Sequence, residues 1–63
     1  SRIAYHVQLF SALGFERGEA RSRAFVLYGY EVAESLLHRQ GSEEQRRARA
    51  LLVEQLLTRK TKG

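Results

Sequence analysis

No cysteine and no proline occur among the 63 residues, and each absence removes something. Without cysteine there are no disulfides and no thiolate zinc sites, and the redox compartment is left open. Long apolar runs are missing as well. The longest stretch without a charged residue, Ile3 to Phe15, is broken by His6, Gln8 and Ser11, and a span needs about 18 apolar residues, so no membrane partner is expected. Length is also scarce: a chain of this size buries only about 60% of the surface its unfolded form exposes. Such scaffolds usually need a disulfide, a metal or a partner chain. Association is the staple that remains.

What the chain does have is helix-forming material: Ala, Leu, Glu, Gln and Arg dominate, and their propensities add over long windows. The formal charge of +4 permits an anionic partner and says nothing about fold. The pattern predicts an all-α chain, one helical segment over 1–63, with helices over about 1–13, 19–40 and 43–59. Gly14 is placed to end the first helix in the left-handed conformation, with Phe15 to Gly18 as the turn. Glu19 opens the second and His38 and Arg39 close it, matching the macrodipole. Gly41 stops it. Ser42 with Gln45 has capping-box spacing, and Glu43 and Glu44 fill the first turn of the third helix. Lys60 to Gly63 should fray.

Turning each residue by about 100° groups Tyr28, Val32, Phe25, Leu36 and Gly29 on one side of the second helix, and Ala33, Val26, Leu37 and Tyr30 continue the arc. Arg23, Glu31, Glu34 and His38 line the remainder. On the third helix Ala48, Leu52, Leu56, Val53, Leu57 and Ala50 sweep a similar arc. Both arcs are about 200° wide, twice the stripe that one core requires, so each helix wants two neighbours. The first helix, with Ile3, Val7 and Phe10 on one side and Tyr5, Leu9, Ala12 and Leu13 around the rest, is expected to be buried. Short connections make consecutive helices antiparallel neighbours. The uncovered sides then call for a second subunit, most simply by a two-fold axis completing a four-helix bundle. The expected interface is Phe25, Val32 and Leu36 with Leu52, Val53, Leu56 and Leu57.

Candidate chemistry is sparse. Neither His6 nor His38 has a second histidine or acid at i+3 or i+4 to complete a metal face; Glu34, four residues before His38, reads as a surface pair. No serine has a positioned base and no glycine-rich phosphate loop occurs, so no enzyme, metal or cofactor is expected. The arginines are dispersed over the helices and not gathered on a face, although phosphate contact is what such residues would serve. Arg49 falls inside the apolar arc of the third helix. Either its stem packs while the guanidinium reaches water, or it forms an ion pair across the interface. Tyr5, His6, Phe10 and Tyr28 are either ordinary core or one wall of an effector pocket, since such pockets join aromatic walls to a few polar tips.

The stretch from Leu9 to Arg59 resembles the C-terminal helices of the TetR family of bacterial transcriptional regulators. Leu13-Gly14-Phe15 is similar to the break before the family's penultimate long helix, Glu19-Ala20-Arg21-Ser22-Arg23-Ala24 to that helix's entry, and Leu27-Tyr28 to its aliphatic-aromatic step. Leu36-Leu37, a short turn, then Leu51-Leu52 and Leu56-Leu57 complete the likeness. It departs in two places: the family's helix-turn-helix domain is not in this chain, and Ala33 stands where members often have glycine. The resemblance implies a homodimer that senses a small-molecule effector in the cytoplasm and contacts DNA only through that N-terminal domain. Effector binding would tilt helices against the bundle and change the spacing of the DNA-binding heads. Since Ser1 leads directly into helical pattern with no signal-peptide n-region, the chain is expected to be a segment of a longer polypeptide. The alternative is a self-contained basic helical protein that binds nucleic acid without sequence preference.

Overall fold

The computed structural model describes residues 1–37 and 41–60. Three helices and no strand occur among them: α1 (Arg2–Ala12), α2 (Arg17–Leu36) and α3 (Glu43–Thr58). The ends follow local chemistry. Ser1 caps α1 by accepting from the Ala4 N–H. At the other end Gly14 takes φ +99°, its N–H donating to the Ser11 carbonyl and that of Phe15 to the Phe10 carbonyl. That is the Schellman pattern, and its accompanying apolar contact is present: the Phe10 and Phe15 rings meet edge to face with centroids 6.0 Å apart.

α2 begins two residues earlier than the expected 19, because the Glu16 carboxylate caps it by accepting from the Glu19 N–H at 2.7 Å. Its helical run ends at Leu36, with Leu37 as the cap, short of the expected Gln40; His38, Arg39 and Gln40 lie outside the described residues. The capping box at α3 is complete. Ser42 Oγ accepts from the Gln45 N–H at 3.1 Å, and Gln45 Oε1 accepts from the Ser42 N–H at 2.7 Å.

The helices are joined antiparallel, as the cross-links show: His6 meets Glu31 between α1 and α2, while Glu34 meets Arg49 and Arg23 meets Leu57 between α2 and α3. The principal extents are 36 × 27 × 14 Å. The radius of gyration, 12.6 Å, exceeds the roughly 10.6 Å expected of a compact chain of this length. The chain is therefore less compact than a self-contained domain of its length, and each helix keeps an uncovered side.

Its core is correspondingly small. Phe10, Ala20 and Ala24 are buried, and Ile3, Val7, Phe15, Leu27 and Leu57 pack against them. The two alanines let α1 approach α2 closely enough for Phe10 to fill the seam. Two expectations are corrected here. α1 is not buried all round, since Tyr5, Leu9 and Leu13 face solvent. And the side of α2 read as solvated, carrying Arg23, Glu31 and Glu34, is the side that meets α1 and α3, because it shares its arc with Ala20, Ala24 and Leu27. Two alanines and one leucine outweigh the larger apolar residues opposite, since only a side with small residues admits a neighbouring helix this closely.

Candidate functional site

The outward side of α2 carries Phe25, Val26, Tyr28, Val32, Leu36 and Leu37, all exposed, with Phe25 at 69% and Leu36 at 77%. Gly29 lies among them, and a Cβ placed there would meet nothing within 4 Å. An open glycine in mid-helix costs about 1 kcal/mol relative to alanine, which the single chain does not recover. On α3 Leu52 and Leu56 are exposed on the side of Arg49, while Leu51, also exposed, lies round the helix between Thr58 and Glu44. Between the two faces runs a groove lined by Tyr30, Ala33, Glu34, Leu37 and Arg49, so they form one continuous surface.

Of the residues assigned to an interface from sequence, Phe25, Val32, Leu36, Leu52 and Leu56 belong to this surface. Val53 and Leu57 are half-buried and turn the other way, into the chain. Of the four pocket candidates, the Tyr5 and His6 rings lie 6.0 Å apart, but the four do not line one cavity among the described residues. Phe10 is core, Tyr5 and Tyr28 are exposed on different helices, and His6 is buried, its Nε2 donating to Glu31 Oε1 at 2.9 Å. Glu31 also faces Arg2 at 3.7 Å. An ionised carboxylate can only accept, which assigns the shared hydrogen to Nε2 and leaves His6 Nδ1 buried with no partner among the described residues.

Arg49 forms an ion pair inside the chain: Nε and an Nη donate to the two Glu34 oxygens at 2.7 and 2.9 Å, a fork geometry that only arginine supplies. Those bonds hold the Glu34 carboxyl below the usual carboxylate range against the opposing effect of burial, and Tyr30 adds a further hydrogen bond. Burial first, and then that hydrogen bond, push the Tyr30 phenol up. Glu34 therefore answers to Arg49 and Tyr30, while His38, its expected partner, lies outside the described residues. Glu43 and Arg47 pair at 3.2 Å on the surface of α3, as their spacing predicts.

Sequence reasoning missed Arg23. Its guanidinium donates to the Leu57 carbonyl at 2.7 Å and the Leu56 carbonyl at 3.3 Å, meets Glu19 at 3.0 Å and lies over the Phe15 ring, 4.2 Å from its centroid. It caps the C-terminus of α3 from the start of α2. No local spacing signals a contact across 34 residues.

α3 is thus tied to α2 toward both ends, by Arg49 and by Arg23. Between the ties a cavity of about 350 Å³ opens beside α1, walled by Leu9, Phe10, Leu13, Leu27, Val53 and Leu57, with Tyr30, Glu54 and Thr58 as polar members. No group of three or more His, Cys, Asp or Glu side chains able to hold a metal occurs among the described residues, and no helix among them is long and apolar enough to cross a membrane. Compared with known proteins, the chain matches no family model, no curated protein and no solved structure.

Proposed function

We propose that this chain is an association module, the dimerisation and effector-sensing portion of a TetR-like transcriptional regulator whose DNA-binding domain lies outside it. One observation carries the reading, the uncovered apolar surface shared by α2 and α3. The chain exposes 5109 Å², whereas a monomeric protein of 7.3 kDa exposes about 4,200 Å². The excess, about 900 Å², is close to the ~800 Å² that each partner contributes to a standard interface. A second copy placed on this surface by a two-fold axis would enclose Phe25, Leu36, Leu52 and Leu56, and would account for Gly29 as a point of close backbone approach. The family pattern from Leu13 to Leu57 gives the biological context.

The competing reading, a basic protein that binds nucleic acid by itself, loses support from the ion pairs: Arg23, Arg47 and Arg49 are committed to Glu19, Glu43 and Glu34. Sedimentation equilibrium of the chain at about 10 μM tests the proposal. A homodimer is expected; a folded monomer of full helicity would sink it. Duplex DNA should bind weakly at low salt and be released by about 200 mM salt, as backbone neutralisation alone requires.

A further inference from the structure

The cavity between the two ties of α3 is lined almost wholly by apolar side chains, yet one carboxylate stands in its wall. Glu16 caps α2, and Glu19, Glu31, Glu34 and Glu43 are paired with Arg23, His6, Arg49 and Arg47. Glu44 and Glu54 have no bond to their carboxylates among the described residues, and of the two only Glu54 lines the cavity; the Thr58 hydroxyl donates to the Glu54 backbone carbonyl at 2.8 Å. Glu54 is therefore an exposed negative charge at the rim of an apolar cavity, in a chain whose net charge is +4. Drug-sized ligand sites begin at about 300 Å³, with apolar walls and a few placed polar groups, and this cavity meets both conditions.

We propose that the cavity binds a small lipophilic cation, an apolar body carrying one ammonium or similar charge. The body would lie against Phe10, Leu27 and Leu57, and the charge would meet Glu54. A cation would gain the attraction of the carboxylate, a neutral ligand would not, and an anionic one would be repelled by it. The site borders Tyr30, whose hydroxyl bonds Glu34, so an occupant touches the same residue that lines the groove toward the second copy. The inference takes the effector-sensing reading as its premise and names the ligand class.

The test uses three probes with one ten-carbon tail: decyltrimethylammonium, decanoate and decanol, each below its aggregation concentration. They are titrated into the ¹⁵N-labelled 63-residue chain. The cation is expected to saturate, with the largest amide shifts at Leu9, Phe10, Leu27 and Leu57, and to bind at least tenfold more tightly than either analogue. Glu54→Gln should abolish that preference, whereas Glu44→Gln, at an exposed position in the first turn of α3, should leave it unchanged. Decanol binding as tightly as the cation overturns the proposal. So does unchanged cation affinity in Glu54→Gln, given unchanged helicity, or shifts confined to Phe25 and Leu36. Shifts at the cavity that grow with protein concentration alone would assign it to a second copy instead, and would also overturn it. Sedimentation of the same samples separates the two ideas: a dimer without cation binding removes the ligand and keeps the dimer, and a monomer that binds the cation does the reverse.

Discussion

Leu56 and Leu51 are matched within the single chain, 51% and 54% exposed, and only a partner can make them unequal. Fully burying a leucine contributes about 1.5–3 kcal/mol, so half-burial gives each about 1 kcal/mol in the monomer, and truncation to alanine should cost both variants a similar amount. The proposed dimer breaks that equality. Leu56 lies on the Leu52 side of α3, directed to the second copy, whereas Leu51 lies between Thr58 and Glu44 on the polar side. Enclosed by a partner, Leu56→Ala should cost about 2–5 kcal/mol, comparable to the whole stability of so small a unit, while Leu51→Ala stays near 1 kcal/mol. Thermal melts followed by circular dichroism at about 10 and 100 μM distinguish the cases, because a coupled dimer has a Tm that rises with concentration. Leu56→Ala should lose helicity and dimer together, with Leu51→Ala close to the parent chain. Equal losses in the two variants at both concentrations, with a Tm independent of concentration, would refute the two-fold surface. Equal and severe losses would mean that α3 is enclosed on every side.

Three further outcomes follow from the same geometry. Gly29→Ala should stabilise an isolated α2 by about 1 kcal/mol yet weaken the dimer, since the added methyl meets the approaching backbone; a tighter dimer in sedimentation would remove Gly29 from the contact. Glu34→Gln tests the tie to Arg49 through pH. The Glu34 carboxyl is held below its ordinary value, so its stabilisation is complete above the unfolded value of about 4.3 and lost as pH falls through the folded one. The Tm gap between the parent chain and Glu34→Gln should accordingly be present at pH 7 and vanish toward pH 3, and a gap independent of pH would count against the pair. Arg23→Lys keeps the charge and loses the fork. Amide hydrogen exchange should show the last turn of α3 opening in that variant, at a cost of about 1.5–3 kcal/mol for charged hydrogen bonds, and unchanged protection of α3 would show that the guanidinium contacts are dispensable.

The sequence by itself determined the helices and most of their ends, because those depend on neighbours within four positions. Gly14, Ser42 with Gln45, and the runs of Ala, Leu and Arg carry that information locally, and the excess of apolar surface over what one small chain can cover was legible from the width of the arcs. The Glu16 cap was not legible, because Glu16 sits in the stretch Phe15 to Gly18 whose pattern is that of a turn, and its capping role appears only in the bond from the Glu19 N–H. Which side of α2 faces inward was decided only by tertiary structure. Residue size, and not polarity, settles close helix packing, so Ala20 and Ala24 drew α1 and Phe10 onto the side that carries Glu31 and Arg23, and Phe25 and Leu36 were left outside. Arg49 was recognisable as anomalous from its place in the apolar arc, but its partner was not. Glu34 is fifteen residues away, Leu57 is 34 residues from Arg23 and Glu31 is 25 from His6, separations that no helical period connects. Those pairings exist only once the chain has turned back on itself twice, and with them comes the cavity that α3 spans between its two ties.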